Sequence, residues 1–144
     1  MKKQFEILLI EDNSGDVILL KEAFKRLDNS YNITVAQDGE DAIAYLTTSI
    51  DAKTVTSPDI ILLDINMPRM NGFQVLAKLR SESSYLAIPI IIFSTSLSEP
   101  DIMKCYELKA NCFITKPPSF NDLIEVVKQI DQFWFKTARL PCAI

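Results

Sequence analysis

The sequence predicts an α/β protein, a (βα)5 doubly wound domain around one parallel five-stranded sheet. Three observations carry this expectation. Short, nearly continuous apolar runs recur along the chain, helical patterns separate them, and chemically reactive side chains sit where the runs end.

The strand candidates are Phe5 to Ile10, Tyr31 to Ala36, Ile60 to Leu63, Ile88 to Phe93 and Cys112 to Thr115. All but the second lack the apolar-polar alternation of a half-exposed strand, so they suit a sheet covered on both faces. Between them, Val17, Leu20, Ala23, Phe24 and Leu27 repeat at helical spacing after Asn13 and Ser14, which can cap. A short helix is expected over Glu40 to Leu46 and another over Phe73 to Arg80. Ser98, with Asp101 three residues on, reads as a capping box before Ile102 to Leu108. Phe120, Leu123, Ile124, Val127, Ile130 and Trp134 mark a long last helix. The polar stretch Thr47 to Ser57 reads as an insertion loop. Five such units are most often wound in the flavodoxin-like order 2-1-3-4-5. Residues 1–144 are expected to form one domain with its core over about 5–136, residues 137–144 being a tail too short for an output domain.

Composition narrows the function. A net charge of −4 makes a nucleic-acid scaffold a poor reading, and no apolar stretch is long enough to span a membrane. The basic start MKK is followed by no cleavage pattern, and Cys105, Cys112 and Cys142 form no CxxC pair, which together suggest a reducing cytoplasm. The chain has no histidine, so Ser-His-Asp catalysis, histidine metal sites and a histidine phosphodonor are excluded.

In open α/β sheets ligands bind beyond the carboxyl ends of the strands. There the sequence places Glu11 and Asp12, Asp64, Ser94 and Lys116. Each alone has a plain reading: Asp12, Asn13 or Ser14 as helix caps, Asp64 as a turn residue, Ser94 bonded to a carbonyl, Lys116 as a solvated charge. Together they put three carboxylates, a hydroxyl and an ammonium at one sheet edge. Crowded carboxylates call for a hard divalent cation, Mg2+ or Mn2+, and the set suits phosphoryl transfer with a carboxylate as nucleophile. Gly72 is expected to adopt positive φ in the loop after Asp64.

The chain resembles response-regulator receiver domains. The resemblance rests on ILLIEDN (Ile7 to Asn13), ILLDINMPRMNG (Ile61 to Gly72), IPIIIFSTS (Ile88 to Ser96) and ITKPPS (Ile114 to Ser119). The intervals from Asp64 to Ser94 and from Ser94 to Lys116 are those usual in the family, while Asp12 to Asp64 is longer because of the polar stretch. The resemblance implies Asp64 as phospho-acceptor, with the metal held by Asp12, Asp64 and the Asn66 backbone carbonyl, and by Glu11 through water. It implies Ser94 and Lys116 as phosphoryl-binding residues, Phe113 as the switch aromatic, and Asn66 and Ser96 as the positions that set the dephosphorylation rate. It also implies a cis Lys116–Pro117 peptide. Glu11 and Asn71 depart from the commoner Asp without removing an oxygen. The donor would be a sensor histidine kinase. The STS run, ANCFITKP and the IDQFWF ending are similar to stand-alone regulators of bacterial phytochrome-type kinases.

Single residues speak against other functions. A haloacid-dehalogenase-type phosphohydrolase needs an acid where Asn66 stands. A flavodoxin-like cofactor carrier needs a phosphate loop where EDNSGD stands. A docking module that never takes phosphate would not need the full residue set. Finally, Val126, Phe133 and Phe135 fall off the core stripe of the last helix, and Leu140, Pro141 and Ile144 prolong the apolar character. They predict a homodimer face, the alternative being a tail that folds back over them.

Overall fold

The computed structural model describes residues 4–52 and 57–141, with the backbone alone over 49–52. Cys142, Ile144 and the centre of the polar stretch lie outside the described residues. In chain order the elements are β1 (Gln4–Ile10), α1 (Ser14–Lys25), β2 (Ser30–Ala36), α2 (Gly39–Ala52), β3 (Ile60–Leu63) and α3 (Gly72–Ser81), then β4 (Ile90–Ser94), α4 (Glu99–Glu107), β5 (Cys112–Thr115) and α5 (Phe120–Ile130). The strands form one parallel sheet in the order β2-β1-β3-β4-β5, as the sequence predicts.

Strand periodicity divides the core into two layers. Leu8, Ile10, Ile61, Leu63, Ile90 and Ile92 face α2, α3 and α4, where Leu46, Leu76, Leu79 and Cys105 meet them. Ile7, Leu9, Ile60, Leu62, Ile91 and Phe93 face α1 and α5, against Leu20, Phe24, Leu123, Val127 and Ile130. Both faces are covered, which is why β3, β4 and the end of β1 from Ile7 read as nearly unbroken apolar runs.

Five local expectations are corrected. The fourth strand begins at Ile90 rather than Ile88. Pro89 has no N–H to give the ladder, and the Ile88 carbonyl is taken by the Arg80 guanidinium at 3.1 Å. The polar stretch is helical up to Ala52; no glycine or proline interrupts residues 40–57, and polar side chains on an outer face do not stop a helix. The Lys116–Pro117 bond is trans, as no cis peptide is present among the described residues. The trans form is the lower in energy by roughly 0.5–1 kcal/mol for a proline bond. Gly72 has no positive φ; among the described residues the left-handed positions are Arg69 at 62° and Lys109 at 73°.

The fifth correction concerns two of the three residues expected on a dimer face, Val126 and Phe135. Beyond Ile130 the helix widens into a π-helical segment, Asp131–Thr137. Its wider turn delays the rotation of each following side chain and carries Phe135 inward. The Phe135 ring lies 4.3 Å from that of Phe5 and 5.2 Å from that of Tyr31. Val126, Phe135 and Leu140 all pack against the α1/α5 layer, so the chain folds back as far as Leu140, and of the three face residues only Phe133 is exposed. Buried Asp131 secures this segment, accepting from Asn29 Nδ2 at 3.1 Å and from the Tyr31 hydroxyl, with Lys136 Nζ at 3.1 Å. Among the described residues no helix is long and apolar enough to cross a membrane.

Candidate active site

Register alone brings the acids together. Ile10 of β1 pairs with Leu63 of β3, so the residues that follow, Glu11 and Asp64, leave the sheet side by side. The Asp64 N–H donates to the Ile10 carbonyl at 3.0 Å, and the Glu11 N–H to the Ala36 carbonyl at 3.0 Å. Asp12 follows on the exposed rim. Ligand atoms of Glu11, Asp12 and Asp64 all lie within 4.8 Å of one another. Two unit charges at that separation repel by about 3 kcal/mol at an effective dielectric of about 20.

Lys116 enters from the end of β5, its N–H donating to the Ser94 carbonyl at 2.8 Å. Its ammonium donates to Glu11, donates to Asp16 Oδ2 at 2.9 Å, and stands 3.9 Å from Asp64 Oδ2. One ammonium thus faces three carboxylates, and the excess of negative charge appears in the titration of the most buried. Burial, reinforced by the charge of Asp64 and only partly relieved by Lys116, pushes the Glu11 carboxyl up to about 7. Burial alone would lower the Lys116 pKa, but its bonds to Glu11 and Asp16 and the charge of Asp64 raise it.

These groups line an open cavity of about 580 Å³, together with Asn13, Ser14, Asn66 and Thr95. The other expected residues stand apart from its wall. Ser94 is fully buried, its Oγ accepting the Ser96 N–H at 3.3 Å. The Ser96 hydroxyl donates to Asp101 Oδ2 at 2.9 Å and accepts from the Ser98 N–H at 3.2 Å, tying it into the first turn of α4. Phe113 is half-buried against the α2/α3/α4 layer, and its N–H donates to the Tyr106 hydroxyl of α4 at 3.2 Å.

Two features escaped the sequence reading. Asp16 sits in the first turn of α1, where its N–H is held by the capping Asn13 Oδ1 at 3.0 Å. The signal was present in EDNSGD, because a cap at Asn13 turns the third helical residue toward the strand ends. The other is Arg69, in the loop after β3, paired with the buried Asp38 that caps Asp41 at 2.9 Å.

Gly72 is needed for space rather than for backbone freedom. A Cβ there would lie 2.3 Å from the Asp64 carbonyl oxygen and 2.6 Å from the Ile65 Cα, both backbone atoms. The Gly72 N–H also donates to the Ile65 carbonyl at 2.8 Å, so the loop cannot swing away cheaply. Gly72→Ala should therefore cost about 2–4 kcal/mol and displace Asp64. Urea denaturation tests this, and an unchanged midpoint would refute the steric account.

A family model described as the response regulator receiver domain matches residues 7–128. The chain belongs to the response-regulator receiver family. Its relatives include response regulator Rcp1 of a Synechocystis species, 35% identical over 137 residues, which span 95% of this chain and 93% of that protein. Among solved structures, the Mn(2+)-bound form of Rcp1 superposes with a TM-score of 0.86 at 34% identity, covering 96% of this chain and 99% of that one. The phosphorylated cyanobacterial phytochrome response regulator RcpA gives 0.90 at 38% identity, covering 97% and 100%. The receiver domain thus has its family's fold throughout, and its relatives include phytochrome response regulators.

Proposed function

We propose that this receiver accepts a phosphoryl group on Asp64 from a phosphohistidine of a sensor kinase of the phytochrome type. The observation that carries the reading is the clustering of Glu11, Asp12 and Asp64 within 4.8 Å, with Lys116 3.9 Å from Asp64. In the transfer the P–N bond breaks, its electron pair returns to the imidazole, and an Asp64 carboxylate oxygen forms the new P–O bond.

An all-oxygen, charge-deficient donor set fits a hard divalent cation, Mg2+ or Mn2+. Asp12, Asp64 and the Asn66 carbonyl would hold it, with Glu11 through water. Bound there, it supplies charge neutralisation for the phosphoryl oxygens. Lys116 offers a point charge to the same oxygens, and Ser94, whose Oγ already accepts from Ser96, keeps its hydroxyl proton to donate. Movement of Ser94 would be felt at Ser96 and the first turn of α4, and Phe113 with Tyr106 gives a second route to that helix. Asn66 lines the cavity as an amide, so it can orient water without acting as an acid, and the chain would catalyse nothing beyond its own phosphorylation and hydrolysis. Ser96 would influence the lifetime through its bond to Asp101. The free Cys105 and Cys112 agree with work in the cytoplasm.

Incubation with a phosphorylated kinase of this type and Mg2+ should label the protein with a hydroxylamine-labile acyl phosphate. Proteolysis should place the label on the peptide that carries Asp64. A hydroxylamine-stable label, or one on another peptide, would overturn the assignment. The receiver also pairs with a second copy through α4, β5 and α5, a pairing supported by the exposed Met103 and Tyr106 of α4, Leu97 just before it and Phe133 just beyond α5. Sedimentation should show phosphorylation tightening the dimer, and a monomer in both states at tens of micromolar would sink the pairing.

A further inference from the structure

Lys116 has three ammonium donors and two carboxylates already holding them. At 3.9 Å from Asp64 it is near the acceptor without being hydrogen-bonded to it. Asp16 takes part in a closed ring of contacts that keeps it there. Lys116 donates to Glu11 and to Asp16, the Asp16 N–H donates to Asn13 Oδ1, and the Asn13 N–H returns to Glu11 Oε2 at 3.3 Å. The ring closes through backbone groups at the start of α1, so Asp16 cannot follow Lys116 if the ammonium moves toward Asp64.

We infer that Asp16 is a positioning residue that restrains the Lys116 ammonium beside α1 and releases it when a phosphoryl group reaches Asp64. The inference rests on Asp64 as the acceptor. To reach a phosphoryl oxygen, Lys116 must give up its bond to Asp16 or to Glu11. Asp16 is the weaker partner, because its side chain is 39% exposed against 3% for Glu11, and water can replace the lost bond. The incoming group carries about −1.5 to −2 charges and competes well for the same ammonium. Asp16 therefore sets how readily Lys116 serves the transfer, and it does so without touching the reacting atoms.

The test uses the intact protein with acetyl phosphate and Mg2+, where the P–O bond to acetate breaks as the bond to Asp64 forms. Asp16→Asn keeps the shape and removes the charge, and Asp16→Ala removes both. Each should speed phosphorylation by about three- to tenfold, the share expected of one partly exposed charged hydrogen bond. Asp16→Glu should return the rate toward wild type, which a merely structural role would not do. The gain should also persist at high salt, because a through-space field is screened there and a direct contact is screened less. Rates that are unchanged or slower, that lose the gain at high salt, or that Asp16→Glu fails to restore would overturn the inference. Thermal melts identify a variant that fails to fold, and the other substitution then decides. If the wild-type chain takes no label on Asp64, the acceptor assignment fails instead, so the two failures are distinguishable.

Discussion

Asp64→Asn is expected to take no phosphoryl group from either a phospho-kinase or acetyl phosphate, while the fold survives. The carboxamide has nearly the shape of the carboxylate, but its nitrogen lone pair is delocalised and its oxygen is a poor nucleophile. The side chain is almost fully buried, so a surrogate acceptor cannot simply swing into its place. Asp12 is exposed on the rim and Glu11 is already bonded to Lys116 and the Asn13 N–H, which leaves neither poised to attack. Electrostatics favour the folded variant, because one of three carboxylates around a single ammonium becomes neutral. The Glu11 carboxyl should then titrate lower, since the charge of Asp64 is one cause of its raised pKa. Intact mass after incubation reads the phosphorylation directly, and circular dichroism reads the fold. Stoichiometric label on a well-folded variant would remove Asp64 from its assigned role.

The sheet and most of this site were legible because each depends on local pattern. Runs such as Ile60 to Leu63 announce a strand buried on both faces, and a reactive residue just past such a run must emerge at the sheet's carboxyl edge. What was not legible depends on three-dimensional packing. Phe135 looks exposed on an ideal helical wheel, yet the π-helical turn beyond Ile130 places it against Phe5 and Tyr31. Gly72 invited an argument from backbone freedom, whereas its reason is the Asp64 carbonyl lying where a Cβ would go. Asp16 belongs to the site only because Asn13, rather than Ser14, caps α1 and sets the phase of the helix. Thr47 to Ala52 carried a polar composition that says nothing about conformation once no breaker interrupts the chain.

Without a divalent cation, the protein should lose stability as the pH rises from about 4.5 to about 7, with Glu11 as the cause. Its carboxyl has an ordinary value of 4.5 and is raised to about 7 in the folded chain, first by burial and then by the charge of Asp64. Between those values the folded state keeps the Glu11 proton and the unfolded state has lost it. The native form therefore binds more protons, and stability must fall with increasing pH across that window. The whole effect is on the order of 3 kcal/mol, since each pKa unit is worth about 1.4. The chain has no histidine, so no imidazole titrates there. The Asp38 carboxyl is lowered by its bond to the Asp41 N–H, and Tyr31 is raised by burial, so both titrate outside the window. A divalent cation held by the same carboxylates should stabilise the ionised form and flatten the dependence, raising the urea midpoint at pH 8 far more than at pH 5. Glu11→Gln should abolish the slope in cation-free protein. Urea titrations at several pH values with and without Mg2+ provide the comparison. A slope that persists in Glu11→Gln would mean that another group carries the buried proton.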